Sequence, residues 1–280
     1  MSGPEPFDPK SSSTDDGIVL RPLATAEDFQ ACVELQRATW GRHFSDLVPA
    51  SLLKVSQKVG GLALGAFDPS GAMLAFLFGL SGWLGGRPAH WSHMLAVVRA
   101  ARDRGLGVRL KRWQREILLQ EGVDVVRWTF DPLEARNAHL NLDRLGAGVE
   151  SYVEEMYAGE EGSDLAEGIG TDRFIVRWDL ASARAEEALA DRLPKNPEIY
   201  AEAPIVSPDF AEGRSLPEAR EIRIEVPRSI QALKAVDLDR AVAFRASTRR
   251  AFLHYLAAGY RVDTLLAEGE RRFYGLRYPP

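Results

Sequence analysis

The stretch HMLAVVRAARDRGLGV, residues 93–108, runs from an apolar segment through a short basic connection to Gly105-Leu106-Gly107, which opens an amphipathic segment. A strand that delivers its chain into a helix N-terminus makes an anion site. The first helical turn has free N–H groups and a partial positive charge, and glycines let the backbone wrap closely around a phosphate. Arg102 and Arg104 add full charges. The stretch has neither the Gly-Lys-Ser/Thr end of a Walker loop nor the G-x-G-x-x-G spacing of a dinucleotide site; it reads R-x-x-G-x-G, as Arg102, Gly105 and Gly107.

Working outward, residues 105–121 place Leu106, Leu110, Trp113, Ile117 and Leu118 on one helical face, with Gly122 as the stop. Upstream, 91–98 reads as a strand, and 62–67 and 73–80 as two antiparallel strands joined by the turn Asp68-Pro69-Ser70-Gly71. Residues 18–23 (IVLRPL) form a first strand, followed by helices over 25–40 and 49–59, the former opened by a capping box at Thr25 and Asp28. Downstream come a strand at 123–130, a helix at 133–145 ended by Gly146, and strands at 151–157 and 173–178. The order is β-α-α-β-β-β-α-β-α-β-β, an α/β (mixed α+β) fold. The acidic, glycine-rich connection 158–172 reads as a surface loop, long enough for a lid over a site.

Past residue 180 a charged helix (181–192) leads into a proline-punctuated segment, then a strand at 221–226, a long helix at 237–258 and strands at 261–265 and 272–276. The expected organisation is a disordered tail (1–17), a core domain (18–180), a linker (181–217) and a small C-terminal α/β lobe (218–280). That lobe is too short to bury much surface alone and packs on the first domain or on another subunit, so a homodimer is one arrangement.

With 45% of its 280 residues hydrophobic and 27% charged, the chain can build a core, which excludes global disorder. Forty acidic against 35 basic residues, a net charge of −5, give no pull toward a polyphosphate backbone and disfavour nucleic acid as partner. The single cysteine, Cys32, permits no internal disulfide and no cysteine-based zinc site, which fits a reducing compartment. The N-terminal residues lack the apolar core of a signal peptide, and the apolar stretch 60–85 is broken by Asp68, Pro69 and Ser70, so the expectation is a cytoplasmic protein with no membrane span.

Leu95-Ala96-Val97 followed by R-x-x-G-x-G resembles the L-x-V strand and pyrophosphate loop of the GNAT superfamily of acyl-coenzyme A N-acyltransferases. The pieces SHMLAVV, RDRGLG, WTFDPLEARNAHLN and RLGA look most like a bacterial and archaeal group of that superfamily, described as acetyltransferases, that also extends past the core. The resemblance implies a splayed, mostly antiparallel central sheet flanked by helices, and an acyl-CoA cosubstrate. It implies that the Leu95-Ala96-Val97 strand bonds the pantetheine arm through its backbone. Arg102, Arg104, Gly105, Leu106, Gly107 and Val108 would cradle the pyrophosphate. Asn137, or Asn141 one turn later, would reach the pantetheine or the departing thiol. The sequence departs from the family where a tyrosine acid is usual: that position is Leu142.

The implied reaction is attack of a neutral amine on the thioester carbonyl, which needs a proton acceptor and an N–H donor for the oxyanion, such as the backbone near Leu95 or Val97. His93, expected on the face of Leu95 and Val97, is the candidate base; bonding a backbone group at the strand's start is its alternative role. His90 and His93 lie on opposite faces of an extended chain, so no metal site is expected. Asp131 and Glu134, past a strand end, can bind the amine or relay a proton, while Asp131 before Pro132 also reads as a helix cap. Tyr157 is the candidate acid or a core tyrosine. Trp113 and Trp128 read as core, Cys32 as buried and inert. Arg245, Arg249 and Arg250 read as a solvated basic face or as ligands for a carboxylate or the adenosine phosphate.

The first functional reading is an acetyl-CoA-dependent N-acyltransferase acting on a small-molecule primary amine. Amino-acid N-succinylation with succinyl-CoA, a non-catalytic CoA-binding module, and acetylation of a protein lysine through an acidic groove at Glu154, Glu155, Glu160 and Glu161 are the alternatives.

Overall fold

The computed structural model describes residues 12–13, 16–158, 163–194, 196–209 and 215–279. Most of the expected tail, and Glu160 and Glu161, lie outside the described residues. The chain forms two compact units, Met1–Val126 and Arg127–Pro280.

The first unit contains β1 (Ser12–Ser13), β2 (Val19–Pro22), α1 (Ala26–Trp40), α2 (Ala50–Lys58), β3 (Leu62–Phe67), β4 (Met73–Leu84), β5 (Arg87–Val97) and α3 (Leu106–Gln120). Its strands lie in the order β1-β2-β3-β4-β5, every neighbouring pair antiparallel. The capping box expected at α1 is present: Asp28 N–H donates to Thr25 Oγ1, and Asp28 Oδ2 accepts from Thr25 N–H. The bond from Arg21 holds the Asp28 carboxyl down at about 2. β4 and β5 make a longer hairpin than the sequence suggested, because Gly85 and Gly86 supply the two positive φ angles (60° and 76°) of a two-residue turn. Phe76, Phe78, Met94 and Ala96 pack with Phe29, Cys32, Val33 and Leu53 of α1 and α2.

Beneath β5 lies a buried polar group. Ser81 Oγ donates to Gly60 O (2.6 Å), so at 2.9 Å it accepts from His90 Nδ1–H, leaving Nε2 to accept from Gln114 Nε2 at 3.0 Å. Gly79 makes room for this ring, since a Cβ there would sit 2.1 Å from His90 Nε2. Lys111 Nζ donates to Ser92 Oγ at 2.8 Å, and burial, with Lys111 second, pushes the His90 imidazole down to about 3. The folded pKa lies below the ordinary 6.5, so stability is intact above 6.5 and is lost as pH falls toward 3. At pH 4 the loss from this one ring is about 3 kcal/mol. His90→Gln should therefore flatten the fall in urea-unfolding free energy between pH 7 and 4; an unchanged slope would remove His90 from the acid response.

The second unit begins with most of β6 (Val125–Phe130) and continues with α4 (Ala135–Ala138), β7 (Gly148–Val153), β8 (Arg173–Asp179), α5 (Ala183–Leu189), β9 (Ile205–Val206), β10 (Glu221–Val226), α6 (Ile230–Val236), α7 (Leu238–Ala257), β11 (Arg261–Glu268) and β12 (Arg271–Arg277). Its strands lie in the orders β6-β8-β7 and β11-β12-β10-β9. The expected helix 133–145 is instead the single turn α4 followed by a π-helical turn, His139–Arg144. The expected strand 151–157 stops at Val153, which puts Tyr157 in the following turn.

The C-terminal residues share a core with β6–β8. Phe174 of β8 stands edge-on to Phe252 of α7 (4.6 Å between ring centroids) and to Tyr274 of β12 (5.6 Å), and the Tyr274 hydroxyl donates to Pro132 O at 2.8 Å.

Candidate active site

In the first unit, β5 pairs with β4 as Phe78↔Met94, Leu77↔Leu95, Phe76↔Ala96 and Ala75↔Val97, but the register shifts between Phe78 and Gly79, which pairs with Ser92. His93 is the extra residue of this bulge. The bulge corrects the face expected for it: the ring stands edge-on to Phe78 at 6.1 Å, and Phe78 packs with Met94 and Ala96 rather than with Leu95 and Val97. Desolvation holds the imidazole pKa below its ordinary value, opposed by the Asp46 charge. Leu95 and Val97 are half-buried, and Ala96 is buried against the helices.

Past Val97 the chain makes a 3₁₀ turn (Arg99–Ala101) and then an exposed run, Arg102 to Gly105, before α3. Asp103 (φ 66°) and Gly105 (φ 72°) both take left-handed backbone. Gly105 is the N-cap, so no side chain caps the first turn of the 15-residue helix, and among the described residues a Cβ there would meet nothing within 4 Å. Leu106 is buried and anchors the turn, while Gly107 and Val108 are half-buried. The turn thus offers uncapped helical N–H groups, two exposed guanidinium groups and open space, which is the chemistry an anionic diphosphate requires.

In the second unit Asn137 is exposed, whereas Asn141 is buried and its Oδ1 accepts from Trp128 Nε1 at 3.2 Å. The π-helical turn between them breaks the spacing that would have put both on one face. Leu142, at the family's tyrosine position, is fully buried.

Asp131 does not cap α4, whose N-cap is Glu134; it makes an Asx turn, Oδ1 accepting from Leu133 N–H at 2.8 Å, and its Oδ2 accepts from Arg245 Nη2 at 2.6 Å. The half-buried Tyr157 has its hydroxyl 3.0 Å from Thr129 Oγ1, with the Arg173 guanidinium 5.2 Å from its ring centroid. Burial raises the Glu134 carboxyl above its ordinary range, although Gln231 donates to it at 2.8 Å.

Two of the arginines read as a solvated basic face or as ligand-binding groups pair with carboxylates of the chain itself. Arg245 is buried, and one turn later Arg249 binds Asp172 (2.8 Å from Nε to Oδ2) and Glu155, while the Tyr152 hydroxyl donates to Asp172. Their i, i+4 spacing was visible, but partners near residues 131, 155 and 172 leave no sequence signal.

Among the described residues there is no cluster of three or more His, Cys, Asp or Glu arranged to hold a metal ion, and no helix is long and apolar enough to cross a membrane.

No protein-family profile matches the chain, and no curated protein matches it. Among solved structures it is similar to the ribosomal-protein-S18-alanine N-acetyltransferase from Escherichia coli (15% identity over 59% of this chain and 96% of that one, TM-score 0.44). It is also similar to the ribosomal-protein-S5-alanine acetyltransferase from Vibrio fischeri (11% identity, 61% and 97% covered, TM-score 0.49). A third is the yncA protein of Salmonella typhimurium with its cofactor acetyl-CoA (17% identity, 59% and 95% covered, TM-score 0.45). By its own order of elements, the antiparallel run β2 to β5 and the glycine turn that carries β5 into α3, the chain has the GNAT fold.

Proposed function

We propose that the protein is an acyl-CoA-dependent N-acyltransferase, with acetyl-CoA as donor and a small-molecule primary amine as acceptor. The observation that carries this reading is the uncapped, left-handed Gly105 turn with Arg102 and Arg104 exposed beside it. When bound, acetyl-CoA supplies an acyl carbon activated as a thioester. Arg102, Arg104 and the N–H groups of residues 105–108 hold the pyrophosphate, and the Leu95-Ala96-Val97 backbone aligns the pantetheine. His93 takes the proton from the attacking nitrogen; its lowered pKa keeps the imidazole neutral at pH 7 and able to accept one. Tyr157 donates a proton to the departing sulfur.

A second reading has one observation in its favour. Arg173, half-buried beside Tyr157, is a cation suited to a carboxylate on the donor or the acceptor, as in succinyl transfer to an amino acid. The cytoplasm suits a chain whose one cysteine permits no internal disulfide.

Thermal unfolding with acetyl-CoA, succinyl-CoA and free CoA tests the site: a ligand at about 100 times its Kd should add about 2.7 kcal/mol of stability. The better donor then selects a panel of amines, amino acids and peptides. His93→Ala and Tyr157→Phe should each lower kcat roughly 100-fold with acetyl-CoA affinity unchanged. The acid limb of the wild-type pH–rate profile should fall at a pKa below 6.5 and vanish in His93→Ala. Undiminished turnover in either variant would return that residue to a structural role.

A further inference from the structure

We propose that Asp16 is an internal competitor for the anion site at the head of α3, a proposal that rests on the coenzyme reading of that site. β1 and β2 pair as Ser12↔Leu20 and Ser13↔Val19, so Asp16 and Gly17 lie in the connection between two paired strands. Gly17 has φ 72°, and Asp16 Oδ1 accepts from Ile18 N–H at 3.3 Å. The other oxygen, Oδ2, stands 3.0 Å from Arg109 Nη1 and 3.5 Å from Arg104 Nη2.

These two arginines flank the uncapped turn, Arg104 immediately before Gly105 and Arg109 one turn into α3, its N–H donating to Gly105 O at 3.0 Å. A carboxylate from elsewhere in the chain therefore neutralises the cations that bracket the glycine turn, on the end of the helix that favours negative charge. It does so weakly. The Asp16, Arg104 and Arg109 side chains are 40%, 45% and 22% exposed, and pairs this open to water hold little free energy. A diphosphate carries more charge and more acceptor oxygens than one carboxylate, so it can take both arginines, and Asp16 must then let go. Asp16 thus sets the affinity of the site below what the arginines and the helix would give alone, and makes that affinity fall less steeply with salt than it would in its absence.

The test is calorimetric titration of free CoA into the full chain, as wild type and as Asp16→Asn, which keeps an acceptor for Ile18 N–H and removes the charge. Asp16→Asn should bind CoA about two- to five-fold more tightly at low salt. That gain should shrink toward one-fold in about 0.5 M NaCl, where the competing pair is screened. Equal or weaker binding by Asp16→Asn, with wild type binding CoA, would overturn the competitor and leave the coenzyme site standing. Binding of CoA by neither protein would remove the site itself, and the proposal with it. Asp16→Ala, read in the same way, separates loss of the charge from any property of the asparagine.

Discussion

Gly107→Arg is expected to weaken acetyl-CoA binding by orders of magnitude while leaving the protein folded. Gly107 is the second residue of α3, half-buried, two positions after the left-handed N-cap Gly105. A long side chain there projects into the space the phosphates need, and it stands at a helical position that tolerates arginine well. Losing two charge-assisted hydrogen bonds to the pyrophosphate would remove about 3–6 kcal/mol, or roughly 10²- to 10⁴-fold in Kd. The added positive charge makes the test stringent, since a purely electrostatic attraction would be strengthened. Calorimetric Kd values with a far-ultraviolet circular dichroism control decide it. Affinity within about two-fold of wild type, at unchanged helicity, would mean that the coenzyme does not use this turn.

The same turn shows how much of the molecule was legible in its sequence. Residues 62–67 and 221–226 were read to the residue, since an apolar or alternating run between turn signals carries its own boundaries. The α1 cap was legible because Thr25 and Asp28 act within three residues of each other. What escaped is set by partners distant in the chain. The bulge at His93 arises from the match of β5 to β4 and changes a face that simple alternation assigned. The π-helical turn after Ala138 separated Asn137 from Asn141, and its reason lies in the burial of Asn141 and Leu142. The partners of Arg245 and Arg249 escaped for the same cause: composition shows basic residues on a helix but not the carboxylates these two meet, 114 and 77 residues away.

Those arginines carry the largest expected effect on stability. Arg245 is 4% exposed, with Nε donating to Ile169 O at 2.9 Å and Nη2 to Asp131 Oδ2 at 2.6 Å. Arg245→Met fills much the same volume but strands the Asp131 carboxylate, which is 11% exposed and would retain only Leu133 N–H and an Arg173 guanidinium 3.8 Å away. Breaking one side of a buried pair costs about 3–5 kcal/mol, because the remaining charge cannot regain water. The urea midpoint should fall accordingly at constant m-value. Asp131→Asn added to Arg245→Met should recover part of the loss, since the amide keeps the oxygen that accepts from Leu133 N–H and leaves no unpaired charge. The double variant separates charge from packing: recovery assigns the cost to the stranded carboxylate, and no recovery assigns it to the lost bond to Ile169 and the packing of α7. A loss below about 1 kcal/mol in Arg245→Met would mean that water reaches Asp131 and the pair is a surface one. The result bears on chemistry as well as stability. Arg245 fixes Asp131, and Arg173, held 3.8 Å from the same carboxylate, is the cation over Tyr157. A variant that frees Asp131 to draw Arg173 toward itself should therefore raise KM for a carboxylate-bearing substrate more than for a neutral amine, if that arginine is what reads the carboxylate.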